Sequence, residues 1–340
     1  MKIAIVKLSA MGDIIHAMVA LQFVKKAMPE IEIDWIVEES LVDLLSHNPD
    51  IHEILPVNLK SLKKDKTQLI SEIKKVKSYA SRQYDVVIDA QGLIKSAVVS
   101  RMLGSSRGFD KDSTREGVAS LLYDKSFNIP YEENVIYRNL KLICDSLNIP
   151  CERESLLDKK PFLFFDEMDS KKVEELLSRD KKNIIYILGS SWSSKVYPKE
   201  KFVELIDMMG ENPLVVWGSR EEYDSAEYIS KNSSVTIVPK LTLGELKALI
   251  SRADLVIGGD SGPTHMAWAM NRASITLFGP TPGWRNTIAT EQNRVICSES
   301  EVNPLKLNRD DYSIQEIEPS EIAKIARELI YKRSKLPEAV

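Results

Sequence analysis

The run Leu255-Val256-Ile257 passes directly into Gly258-Gly259-Asp260-Ser261-Gly262-Pro263-Thr264-His265, and then into Met266-Ala267-Trp268-Ala269. A short apolar run closed by glycines and followed by a helical pattern reads as a strand, a tight turn and a helix. No other stretch constrains the fold as much, because strand–turn–helix is the repeating unit of a parallel sheet covered by helices. Such a turn offers backbone N–H groups and the positive end of a helix dipole to a ligand, an arrangement suited to phosphate. A carboxylate, a hydroxyl and an imidazole share the turn, which points to a phosphorylated ligand such as a nucleotide.

The same unit recurs along the chain. Residues 3–8 form a β-branched strand pattern, residues 9–12 a turn, and residues 13–28 a helical pattern that stops at Pro29. Further strands are expected at 31–37, 51–55 and 86–89, with a short helix at 41–45, a lysine-rich helical stretch over 60–82 and a helix from 94 to 103. The second half repeats the order, with strands at 184–188, 214–217, 255–257 and 274–278. Its helices are expected at 199–209, 221–230, 243–251 and 320–332. The polar stretch 165–170 is the expected boundary between two αβα domains. Open parallel sheets bind ligands beyond the C-terminal ends of their strands, so the turns after each strand are where function is sought.

Composition removes several classes. A net charge of -4 gives no bulk attraction to nucleic acid. No apolar stretch approaches the roughly 20 residues that span a bilayer. Lys7 and Asp13 interrupt the N-terminal apolar run, so a signal peptide is not expected. The cysteines Cys144, Cys151 and Cys297 are odd in number and lack a Cys-x-x-Cys pair. Neither a disulfide framework nor structural zinc is expected from them, and a cytosolic protein is the simplest reading.

The strand-end turns carry the candidate chemistry. Asp13 follows a strand and a glycine turn; it reads either as a helix cap or as a general base. With only Gly12 beside it, that turn lacks the G-x-G-x-x-G dinucleotide fingerprint. His16, one turn further along, is a weaker binding candidate. Ser190, Ser191 and Lys195 follow a strand and offer hydroxyls and an ammonium to a diphosphate leaving group. Glu221 and Glu222 follow Trp217-Gly218-Ser219; they suit ribose or sugar hydroxyls, or simply open a helix. Asp260, Ser261, Gly262 and His265 form the densest cluster. His265 lacks a spaced His or Cys partner and so does not read as a metal ligand. The loop Phe278-Gly279-Pro280-Thr281-Pro282-Gly283 either lines the same site or merely turns the chain. The stretch 60–82 is a solvated basic face or a docking site for anions.

Several longer motifs carry a family likeness. These are Ile5-Val6-Lys7-Leu8-Ser9-Ala10-Met11-Gly12-Asp13, Asp34-Trp35-Ile36-Val37-Glu38-Glu39, Val87-Ile88-Asp89-Ala90-Gln91-Gly92-Leu93-Ile94-Lys95-Ser96, Thr114-Arg115-Glu116, Trp217-Gly218 and Gly259-Asp260-Ser261-Gly262-Pro263-Thr264-His265. Together they resemble the lipopolysaccharide heptosyltransferases of glycosyltransferase family 9, most closely the type I branch. The likeness runs over nearly the whole chain.

The resemblance implies a GT-B α/β fold of two Rossmann-like domains facing across a cleft. Residues 1–165 would bind the acceptor and residues 166–319 ADP-heptose, with a C-terminal helix within 320–340 crossing back to the first domain. It implies inverting transfer of L-glycero-D-manno-heptose from ADP-heptose to the inner Kdo of Kdo2-lipid A. The alternatives are a type II enzyme acting on a heptose acceptor, another nucleotide-sugar transferase, and a non-catalytic nucleotide-sugar-binding protein. By position, Asp13 resembles the catalytic base and Lys195 the diphosphate-binding lysine. Ser190 and Ser191 stand where related enzymes have threonines at the diphosphate. Glu222 falls best on the ribose-binding residue, with Glu221 the other option, and Leu241 on an adenine neighbour. Asp260 resembles the carboxylate that holds heptose hydroxyls, with Ser261, Gly262 and His265 in the adjoining donor loop. Lys60, Lys63, Lys64 and Arg115 resemble the anionic-acceptor side. The resemblance implies no tightly bound cofactor and no metal requirement, and neither does it call for nucleic acid. It implies a monomer working peripherally at the cytoplasmic face of the inner membrane.

Overall fold

The computed structural model describes residues 1–61 and 66–331. It divides into two compact units, residues 1–164 and 165–340. The boundary falls at the start of the polar stretch 165–170.

The first unit runs β1 (Lys2–Val6), α1 (Met11–Met18), α2 (Ala20–Ala27), β2 (Glu32–Glu38), α3 (Val42–Leu45), β3 (Glu53–Val57), α4 (Leu69–Tyr79), β4 (Val86–Asp89), α5 (Ile94–Leu103), β5 (Ser106–Phe109), β6 (Lys125–Phe127) and α6 (Val135–Ser146). Its sheet has the order β3-β2-β1-β4-β5-β6, and neighbouring strands pair in parallel. Ile3, Ala4, Ile5 and Val6 are fully buried. A central strand covered on both faces needs a continuous apolar run, which is why β1 stands out in the sequence. Helix α6 packs on α1 and α2, while α4, α5 and the short 3-10 segment Gly117–Leu122 pack on one another. Right-handed crossovers put these two groups on opposite faces of the sheet.

The second unit runs α7 (Glu167–Val173), β7 (Asn183–Ile187), α8 (Lys199–Met209), β8 (Asn212–Val216), α9 (Arg220–Asn232), β9 (Thr236–Ile237), α10 (Leu243–Ser251), β10 (Leu255–Gly259), α11 (Gly262–Ala269), β11 (Ser274–Phe278), α12 (Gly283–Asn286), β12 (Asn293–Cys297) and α13 (Pro319–Tyr331). The parallel sheet order is β12-β11-β10-β7-β8-β9. Each unit is thus a Rossmann-like layer of helices, sheet and helices. In its described part α13 packs on α8, with Ile322, Ala326, Leu329 and Ile330 in the core of the second unit.

Two expectations need correction. The 13–28 helix is divided into α1 and α2 around Val19. Cys144 and Cys151 form a disulfide, contrary to the reading from their odd number. The chain reverses after α6 through Asn148 in a left-handed conformation (φ 55°), which brings the two Cα atoms to 6.2 Å. Cys297 is the leftover thiol.

Candidate functional site

In each unit the strand order reverses at one place: between β1 and β4 in the first, and between β7 and β10 in the second. These are the topological switch points where open α/β sheets form ligand crevices. Asp13 stands at the first of these places, and Ser190, Lys195, Asp260 and His265 at the second.

At the first switch point the loop after β1 is clamped by the loop after β4. The Gln91 side-chain carbonyl accepts from the Leu8 and Ser9 N–H groups at 3.1 and 3.2 Å. The buried Lys7 ammonium donates to the Ala90 carbonyl at 2.7 Å. Behind them Asp89 is fully buried and accepts from Gln91 N, Gly92 N, Ser96 Oγ and Tyr123 OH. Burial pushes the Asp89 carboxyl up, against the pull of those bonds.

Asp13 stands at the third position of α1, partly exposed, and accepts from the Ala10 N–H at 3.2 Å. It is therefore a cap, as one reading held, and its carboxylate also borders solvent at the switch point. His16 is buried further along α1.

Arg115 is exposed, stacks on the Tyr131 ring and donates to its hydroxyl. Its loop is pinned on either side: Thr114 Oγ1 donates to Gly92 O, and Glu116 accepts from Ile94 N at 2.7 Å. Lys60 follows β3, its N–H 3.4 Å from the buried Glu38 carboxylate at the end of β2. Lys63 and Lys64 lie outside the described residues.

At the second switch point Asp260 is a hub. One oxygen accepts from His265 Nε2 at 2.9 Å. The other meets Lys195 Nζ at 3.0 Å, Thr281 Oγ1 at 2.8 Å and Asn286 Nδ2 at 3.1 Å. An ionised carboxylate only accepts, so His265 carries its proton on Nε2 here. Burial alone would raise the Asp260 pKa, but Lys195 and His265 outweigh it and hold the carboxyl well below the usual range. Ser190 Oγ donates to the Asp260 backbone carbonyl at 3.1 Å, tying the loop after β7 to that after β10. A Cβ on Gly259 would come within 2.6 Å of the Lys195 carbonyl. Only glycine lets the two loops approach this closely. Ser261 occupies the N-cap position of α11, with Gly262 opening its first turn; its Oγ makes no capping bond to the backbone but lies 3.0 Å from Thr264 Oγ1.

Beside this hub lies a cavity of about 690 Å³ lined by Ser190, Ser191, Trp192, Tyr197, Glu222 and Gln315, among others. Glu221 and Glu222 both line it, but their settings differ. Glu221 is exposed, whereas Glu222 folds over Gly189 and accepts the Gly218 N–H. Leu241 is half-buried just before the cap of α10 and is not part of this lining.

Sequence reasoning missed Thr281 and Asn286 as Asp260 partners, although the turn-rich loop 278–283 had been singled out. It missed Trp192 as well, whose ring carries Lys195 at 5.3 Å and Arg309 at 4.7 Å. Gln91 was visible only as part of a motif.

A buried anion holding a lysine and a histidine beside a polar-rimmed cavity, at a switch point, is a place for an anionic ligand with hydroxyl groups. Residues 73–312 match glycosyltransferase family 9 (heptosyltransferase). The chain is 38% identical to a lipopolysaccharide heptosyltransferase 1 from Campylobacter coli, over 97% of this chain and 99% of that one. In structure it is similar to the E. coli heptosyltransferase WaaC with ADP, with a TM-score of 0.79 and 25% identity, covering 97% of this chain and 100% of the other. The same enzyme with ADP-2-deoxy-2-fluoro heptose gives a TM-score of 0.77 at 25% identity, covering 96% and 99%. The chain belongs to glycosyltransferase family 9, the heptosyltransferases.

Proposed function

We propose that this glycosyltransferase moves L-glycero-D-manno-heptose from ADP-heptose to the inner Kdo of Kdo2-lipid A, with inversion at the anomeric carbon. The observation that carries the reading is the full-length likeness to a heptosyltransferase 1, joined to the Lys195–Asp260–His265 hub beside the cavity. A type II enzyme acting on a heptose acceptor is the second reading; a type II structure shares the fold at 18% identity.

In the proposed reaction Asp13 takes the proton of the acceptor hydroxyl as its oxygen bonds to the anomeric carbon. The bond from that carbon to the diphosphate breaks on the opposite face, and ADP leaves with the electron pair. Lys195, the Ser190 and Ser191 hydroxyls and the first turn of α11 from Gly262 stabilise the charge that develops. Glu222 holds the ribose hydroxyls, and Leu241 borders the adenine. Asp260 orients Lys195 and His265, and accepts heptose hydroxyls in exchange for Thr281 or Asn286. Lys60, Lys63, Lys64 and Arg115 meet the acceptor's carboxylates and phosphates. The enzyme works as a monomer, peripherally, at the cytoplasmic face of the inner membrane. No helix among the described residues is long and apolar enough to cross a membrane.

The test measures ADP release from ADP-heptose in excess chelator, with and without Kdo2-lipid A, together with product mass. Acceptor-dependent release and one added heptose support the reading. Reaction only with a heptosylated core acceptor supports type II. Donor binding without any turnover leaves a binding protein.

Gln91 is a positioning residue in this scheme, since its carbonyl holds the loop that leads to Asp13. Gln91→Ala should lower kcat about tenfold through misplacement of the base. The donor KM should stay unchanged, and Gln91→Glu, which keeps the acceptor oxygen, should restore most of the rate. Equal losses in both variants would remove this role.

A further inference from the structure

Among the described residues of the first unit, most of the exposed large apolar side chains, all but Met1 and Leu157, gather on one side of its sheet. On α4 these are Leu69, Ile70 (67% exposed) and Ile73; on α5, Ile94 and Val98; on the Gly117–Leu122 segment, Val118 and Leu121 (82% exposed). These three elements are neighbours. The side chains lie in the first two turns of α4 and α5 and in the short segment that precedes β6. All of these follow the C-terminal ends of strands, at the edge of the sheet that carries Asp13 and Gln91. A soluble surface rarely gathers so many apolar groups without a partner.

Charge indicates which partner. Ile70, Ile73, Lys74 and Lys77 share one exposed face of α4 at helical spacing, and Lys95 stands beside Ile94 on α5. Among the described residues none of these three lysines is in a salt bridge, although Lys95 acts on the buried Glu38 carboxyl, opposing the rise that burial causes. The nearby acids are engaged: Glu72 accepts from Asn58 N, Glu116 from Ile94 N, and Asp124 pairs with Arg101. Apolar side chains interleaved with exposed lysines outside any salt bridge complement the hydrocarbon boundary and the negative headgroups of an anionic bilayer.

We infer that the outer face of α4, α5 and the Gly117–Leu122 segment docks on an anionic phospholipid surface. It inserts Ile70, Ile73, Ile94, Val98, Val118 and Leu121 among the headgroups, while Lys74, Lys77 and Lys95 bind lipid phosphates. The inference rests on the membrane-bound acceptor proposed above and names the surface that meets the membrane. Docked in this way, the sheet edge that bears Asp13 borders the headgroup layer, where a lipid-anchored sugar is presented.

The test is sedimentation of the full chain with vesicles free of acceptor, either phosphatidylcholine alone or with about one third phosphatidylglycerol. The wild type should pellet with the anionic vesicles and lose binding as salt rises. Ile70→Asp with Leu121→Asp should bind about tenfold more weakly, with an unchanged melting temperature and ADP affinity. If that pair fails to fold, Ile70→Ser with Leu121→Ser takes its place. Lys74→Glu, Lys77→Glu and Lys95→Glu together should abolish the preference for anionic lipid. A wild type that ignores anionic vesicles overturns the inference, as do variants that bind like the wild type. A solution dimer that the aspartates dissociate also overturns it, because the face then belongs to a second copy. Vesicle binding without heptose transfer would sink the acceptor reading and leave this one standing. Transfer to a soluble deacylated acceptor without vesicle binding would do the reverse.

Discussion

Asp13→Asn lowers turnover by about 10²–10⁴-fold, the range set by losing a positioned proton acceptor, and leaves ADP-heptose affinity unchanged. Asparagine keeps a side-chain oxygen for the Ala10 N–H, so the start of α1 stays capped. The substitution therefore separates the two readings of this residue. A cap alone predicts normal turnover with asparagine and a loss of stability with alanine. A base predicts that both variants lose turnover, with asparagine as stable as the wild type. The decisive pair of measurements is single-turnover rate and calorimetric donor affinity. Parallel loss of donor binding would remove Asp13 from the chemistry.

The second large effect is on stability. Asp260→Asn leaves the Lys195 ammonium, with a side chain only 10% exposed, facing a neutral amide. Removing one member of a buried ion pair costs about 3–5 kcal/mol, and denaturant unfolding at neutral pH should show a loss of that size. The dependence on pH has a definite sign. The folded pKa of Asp260 lies below its unfolded value, because Lys195 and His265 outweigh the desolvation that would raise it. Its contribution is fully present above the unfolded carboxylate value of about 3.9. It is lost as pH falls below that value towards the depressed folded one. The stability gap between wild type and variant should thus be constant near neutrality and narrow only in acid. A gap that ignores pH, or one below about 1 kcal/mol, as for an exposed pair, would show that the hub is not electrostatic.

Much of the fold was legible because its central strands are covered on both faces. Ile3 to Val6 in β1 and Leu255 to Ile257 in β10 have zero or near-zero exposure, and burial of that kind demands a continuous apolar run. The strands that went unread lack such runs. β5 is Ser-Arg-Gly-Phe, β6 is Lys-Ser-Phe at an edge of the first sheet, and β12, at an edge of the second, buries only Asn293 and Ile296. They are strands because a neighbour supplies the ladder, and local pattern does not show that. The disulfide escaped for a related reason: parity describes the whole set of cysteines, whereas bonding depends on which pair a chain reversal brings together.

The candidate site divides along the same line. Asp260 and His265 are five residues apart and share one turn, so their cluster was visible in the chain. Lys195, Thr281 and Asn286 reach the same carboxylate from loops after other strands. Those convergences belong to the sheet order.

The crowding of Asp260 has one further consequence. Thr281 and Asn286 occupy the same oxygen as Lys195, so a sugar hydroxyl that claims that oxygen must dislodge one of them. Both ride on the short stretch that includes α12, and between them Trp284 is 58% exposed. The chain thus carries its own optical reporter: donor arrival should alter the indole emission of Trp284, a signal that Trp284→Phe subtracts. ADP alone, lacking the sugar, should leave that component unmoved.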